Sequence, residues 1–180
     1  MEKNQCLESL HCSSFLDERG SLNTFREVFQ TILPFNFVDC YIAKSSKGVF
    51  RGLHLQLSDK LPLKYIKAIT GKIVLISLCL DIEHAKYCNV WKFFIDSKDE
   101  IAVVIQPKHA IGYFVQSEYA EVFIGSSVSY QGDQELGVNV LTISELSELT
   151  EGAILSEKDL NLPTIDEVLI LINAKFPKTS

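Results

Sequence analysis

A succession of short, closely spaced segments rich in β-branched and aromatic residues restricts what this chain can fold into more than any other feature. They run over Phe35 to Ala43, Leu63 to Thr70, Ile73 to Asp81, Val90 to Ile95, Ile101 to Gln106, Tyr113 to Gln116 and Tyr119 to Val128. Such side chains suit the pleated, half-buried surface of a strand. Turn signals separate most of the segments: Thr70-Gly71-Lys72, Asp96-Ser97-Lys98-Asp99 and Gln106-Pro107-Lys108. Strands set this close together point to an all-β sandwich or barrel and away from the strand–helix alternation of a doubly wound sheet. Gly132 and Gly137 stand alone, outside any phosphate-cradling glycine pattern.

Two helices are expected. Phe25 to Ile32 forms a short one stopped by Pro34; the other runs from Ile165 to Ala174, with Thr164 as N-cap and Asp166 and Glu167 where the helix dipole favours acids. Ser144 to Glu151 is polar and acidic and reads as a surface loop or loose helix. Without an internal repeat or linker, residues 1–180 are expected to form one domain. Apolar residues make up 47% and charged residues 22%, as in ordinary globular chains. No apolar run approaches the roughly 18 residues of a membrane span, and the N-terminus lacks the apolar core of a signal peptide, so a cytoplasmic protein with no membrane partner is expected. The five cysteines are irregularly spaced, with no C-x-x-C pair, and read as free thiols. A net charge of −6 argues against nucleic acid as a partner and leaves any phosphate-bearing small ligand to a few local Arg and Lys side chains.

Of the four histidines, His54 stands apart because Arg51-Gly52-Leu53-His54-Leu55-Gln56 sets Arg, His and Gln among apolar residues. Strict alternation puts His54 and Gln56 on one face and Arg51 on the other. All three line one pocket only if the strand bends, which Gly52 permits. An edge strand with exposed polar residues is the other reading that the pattern allows.

Several collinear stretches go further. They are Asp17-Glu18-Arg19-Gly20, Arg51 to Gln56, Lys64, Gly71, Ser117-Glu118-Tyr119-Ala120-Glu121, Tyr130, Glu135, and Leu155-Ser156-Glu157-Lys158-Asp159 with Pro163 beyond. In this order and spacing they resemble the dTDP-4-dehydrorhamnose 3,5-epimerase family, from about Asp17 to Pro163. The resemblance implies a cupin-type β-barrel (jelly roll) with a few short helices, one of them C-terminal. It implies an isomerase acting at C3 and/or C5 of a nucleotide-linked 4-keto-6-deoxy sugar, in surface-polysaccharide or secondary-metabolite biosynthesis. His54 matches the family's general base, and Asp159 the carboxylate that orients it. Lys64 matches a lysine beside the sugar keto oxygen. Arg19 and Arg51 match diphosphate ligands, Tyr130 the aromatic that stacks on the base, and Gln56, Glu135 and Lys158 fall at other substrate-binding positions. A homodimer with exchanged strands and no cofactor or metal are also implied. His84 and His109 form no ligand set with His54, and His109, following Pro107, is expected in an exposed turn.

The chain also departs from the family. The family's acid tyrosine is Ile124 here, a second active-site histidine is Ile111, a Gln-Asp-Asn run is Asp39-Cys40-Tyr41, and a glutamate is Thr24. Isoleucine gives no proton. A relocated acid is therefore expected, with Tyr113 the first candidate because it shares a strand face with Ile111, and Tyr41 the second. A non-catalytic sugar-nucleotide-binding protein and a related keto-sugar isomerase are the alternatives to an epimerase.

Overall fold

Alternation of side chains along the strands decides which surface of each sheet is buried. The computed structural model describes residues 7–18, 20–24, 37–57 and 62–175. One five-stranded sheet contains, in spatial order, β1 (Leu7–His11), β9 (Ile101–Ile105), β6 (Lys64–Thr70), β11 (Tyr119–Ser126) and β4 (Asp39–Ser46). The second contains β12 (Glu135–Gly137), β5 (Phe50–Gln56), β10 (His109–Val115), β7 (Lys72–Cys79) and β8 (Val90–Asp96). All pairs within these sheets are antiparallel. This is the all-β, cupin-type barrel expected from the sequence, and the α-helices among the described residues lie in its C-terminal part. A separate two-stranded ribbon pairs β2 (Ser13–Asp17) with β3 (Gly20–Thr24).

The interior belongs to alternate residues of both sheets. Ile66 and Ala68 of β6, Ile73 and Leu75 of β7, Tyr113 and Val115 of β10, and Ala120, Val122 and Ile124 of β11 pack as one cluster. Burying each of the large side chains among them contributes about 1.5–3 kcal/mol. Intervening residues of β5, β7 and β10 face outward, yet they are buried too. Leu53, Leu55, Val74, Ile76, Leu78 and Ala110 pack against Val138, Val140, Ile143, Leu146, Val168 and Ile172. The C-terminal segment thus covers the second sheet, so these strands read as continuous apolar runs.

That segment holds two single-turn helices, α1 (Ser147–Thr150) and α2 (Glu157–Leu160), and the longer α3 (Ile165–Lys175). α3 coincides with the expected C-terminal helix. Ser144 to Glu151, read as loop or loose helix, forms a 3-10 turn followed by α1. The expected helix over Phe25 to Ile32 lies outside the described residues.

One expectation is corrected. His109 does not sit in an exposed turn; it opens β10 and is only 7% exposed. The turn ends one residue earlier, at Lys108, whose φ is +63°. His109 Nδ1 lies 2.8 Å from Ser77 Oγ, and the imidazole ring stacks on Trp91.

Candidate active site

Gly52 bends the strand that carries the site. On β5 and β10, Ile111 pairs with His54 but Tyr113 pairs with Arg51, so β5 spends one more residue than β10 over that interval. Such a bulge reverses the alternation and brings Arg51 and His54 to the same side. Gly52 has φ +110°, and a Cβ there would lie 2.5 Å from the Ile111 carbonyl oxygen. Only glycine fits that backbone against its neighbour. A cavity of about 540 Å³ opens between the sheets, lined by Arg51, His54 and Gln56 from β5, Lys64 from β6, Tyr113 from β10 and Tyr41 from β4, among others.

Asp159 comes from the far end of the chain. Ser156 caps α2, its Oγ accepting the Asp159 N–H at 3.1 Å, and the single turn presents the carboxylate to His54. His54 Nε2 lies 2.7 Å from Asp159 Oδ1. Burial pushes the Asp159 carboxyl up, but hydrogen bonds from His54, Ser156 and the Gly52 N–H hold it below the ordinary carboxylate range. An ionised Asp159 fixes the Nε2–H tautomer and leaves the lone pair on Nδ1. Nδ1 faces Glu135, whose Oε1 is 3.8 Å away.

Glu135 is itself held. Lys158 pairs with its Oε2, and the Tyr130 hydroxyl donates to the same oxygen at 3.3 Å. Tyr130 is 57% exposed at the cavity rim, its ring available to a flat ligand. Gln56 donates from Nε2 to the Ser129 carbonyl at 2.9 Å, while its buried Oε1 has no partner among the described residues. A buried acceptor left unpaired beside a cavity suits a ligand N–H or O–H.

Lys64 projects from the opposite sheet. Burial lowers its ammonium pKa below the ordinary lysine value, against the opposing pull of Asp39 and Glu135. Arg51 donates from Nε to Ser45 Oγ at 2.8 Å and from Nη2 to the Lys44 carbonyl at 3.3 Å. Tyr113 is 5% exposed, with its hydroxyl 3.4 Å from the same Ser45 Oγ. Arg19 lies outside the described residues. Ile111 and Ile124, two of the departures, both line the cavity.

Asp39 and Ser45 also reach the site, the first lining the cavity and the second fixing Arg51 and Tyr113. Neither was singled out for such a role from the sequence. The period of two along β4, which puts Asp39, Tyr41, Ala43 and Ser45 on one face, was the signal that would have found them.

A model of the family described as dTDP-4-dehydrorhamnose 3,5-epimerase matches residues 7–167. This chain belongs to that family. It is 30% identical over 164 residues to the dTDP-4-dehydrorhamnose 3,5-epimerase of Escherichia coli strain K12, covering 87% of this chain and 88% of the relative. Its fold superimposes on the epimerase of Bacillus anthracis, solved with TDP and PPi bound, with a TM-score of 0.81 at 23% identity, covering 91% of this chain and 97% of that one. The same fold appears in a 3'-monoepimerase from Streptomyces bikiniensis in complex with dTDP-quinovose, with a TM-score of 0.80 at 19% identity, covering 94% and 88%. As a family member, the chain is a sugar-nucleotide epimerase.

Proposed function

We propose that this epimerase inverts C3, C5 or both in a nucleotide-linked 4-keto-6-deoxy sugar, with His54 as the base. The observation that carries the reading is the 2.7 Å contact between His54 and Asp159 at the wall of a cavity. A carbon next to a ketone is acidified by the carbonyl, and a neutral imidazole with an oriented lone pair is suited to take its proton at cellular pH. As His54 Nδ1 takes the proton, the carbon–hydrogen electron pair becomes the enolate and negative charge grows on the C4 oxygen. The Lys64 ammonium on the facing sheet stabilises that charge. Asp159 stabilises the imidazolium without leaving its own ionised state.

The remaining groups suit the nucleotide. Arg51, with Arg19, offers guanidinium forks to the diphosphate. Tyr130 stacks on the base, and Gln56 and Lys158 contribute donors and acceptors around it. The chain works as a cytoplasmic homodimer, in making a surface polysaccharide or secondary metabolite. Exposed apolar residues on the ribbon and on β4, an edge strand among the described residues, support the dimer.

The test is proton exchange. In D₂O with dTDP-4-keto-6-deoxyglucose, the protein is expected to place deuterium at C3 or C5, read by NMR. His54→Ala lowers that rate by about 10²–10⁴-fold while thymidine-diphosphate binding persists. Binding of the sugar nucleotide by the unaltered protein with no exchange at either carbon would instead favour the non-catalytic reading.

A further inference from the structure

Inversion needs two groups on two sides: one removes a proton from a carbon and another delivers a proton to the opposite face. The base belongs to β5 in the second sheet. Ile124, which the resemblance matches to the family's acid, belongs to β11 in the first sheet, across the cavity. A replacement is therefore to be sought on the first sheet, close to Ile124.

The register names one. Tyr41 of β4 is the direct cross-strand partner of Ile124. Directly opposed residues of an antiparallel pair point to the same side, with Cβ atoms about 4.5–5.5 Å apart. Asp39, Tyr41 and Ala43, on the same face of β4, all line the cavity. Tyr41 is 56% exposed, and its hydroxyl has no hydrogen-bond partner among the described residues. We infer that Tyr41 is the proton donor of this enzyme, the acid having moved by one strand while keeping its place on the wall that faces His54. This rests on the epimerase reading above.

Tyr113 fits less well. Its backbone lies on β10, next to β5, and its hydroxyl, though it reaches across to β4, is only 3.4 Å from Ser45 Oγ in a side chain that is 5% exposed. Although the side chain as a whole is half exposed, desolvation at the cavity and the neighbouring Tyr113, Glu135 and Asp39 raise the pKa of the Tyr41 phenol, with only Arg51 opposing them, so it keeps its proton until it is needed. In the step itself, the enolate carbon forms a bond to the Tyr41 proton, the O–H electrons remain as phenolate, and the C4 carbonyl re-forms. Solvent then takes the proton from His54 and returns one to Tyr41, so no other reactant is consumed.

The experiment separates proton removal from inversion. In D₂O with dTDP-4-keto-6-deoxyglucose, Tyr41→Phe is expected to retain His54-dependent deuterium uptake into recovered substrate of unchanged configuration. The rate of inverted product falls by about 10²–10⁴-fold. Adding Ile124→Tyr to that variant restores inversion, and Tyr113→Phe alone lowers it by less than about tenfold. Unchanged inversion in Tyr41→Phe overturns the assignment, as does parallel loss of exchange and inversion, which marks a binding role. Absence of exchange in the unaltered protein fails the epimerase reading and this inference together, whereas the first two outcomes leave that reading intact.

Discussion

His109 shows how a residue typical of active sites becomes part of a core. Burial lowers its pKa to about 4, helped by His84 and opposed by Asp81. Its Nδ1 meets Ser77 Oγ and its ring meets Trp91, so the neutral form is the one that the surroundings satisfy. The depressed value fixes the sign of the pH dependence. Above the unfolded value of about 6.5, neither state holds the proton and the full stability is present. On acidification the unfolded chain protonates first, and stability falls between about pH 6.5 and 4 by up to about 3 kcal/mol. Urea midpoints measured across that range are expected to drop with acid in the native chain, and this part of the slope should vanish in His109→Gln. Gly52 is the contrasting case. The sequence offered its role only as one of two readings: Arg51 and His54 are out of phase on a flat strand, so they share a pocket only if a permissive residue bends it, and an edge strand with exposed polar residues fitted the pattern as well.

At the scale of elements, the strands with dense β-branched and aromatic content were legible and those without were not. β1, β2 and β3 draw on Glu, Ser, Asn and Asp and carry no such signal. β10 was expected from Tyr113 but begins at His109, because Pro107 and Lys108 made its first residues resemble the end of a turn. The site was legible in part. Arg51, His54 and Gln56 are neighbours in sequence, but no local pattern connects His54 to Asp159, 105 residues away. Only resemblance to a family supplied that partner. α2 is the element that delivers it, and its single turn depends on one cap. Ser156→Ala is expected to cost about 1 kcal/mol of stability in denaturant titrations. Because the same hydroxyl helps to hold Asp159 ionised, kcat in the exchange assay should fall while KM stays near its original value.

For the whole molecule, the two faces of the barrel are finished differently. The C-terminal segment covers the second sheet, whereas among the described residues β4 forms one edge of the first sheet, with Ile42 exposed on it. Among the described residues the β2–β3 ribbon pairs with neither five-stranded sheet, and it exposes Phe15, Leu16 and Leu22. A long edge strand and an apolar ribbon are features that soluble proteins ordinarily cover. Sedimentation equilibrium is expected to give twice the chain mass, and Leu16→Asp with Leu22→Asp should shift it toward one chain mass. An unaltered protein that sediments as a single chain would remove the dimer.

The distance along the chain between His54 and Asp159 has a consequence for biosynthesis. At the usual pace of translation, the carboxylate is made roughly 5–20 s after the imidazole that it orients. Throughout that interval His54 lacks the carboxylate that lies 2.7 Å from it in the finished fold. On the proposal that His54 is the base, the site is complete only once the segment carrying Asp159 has docked.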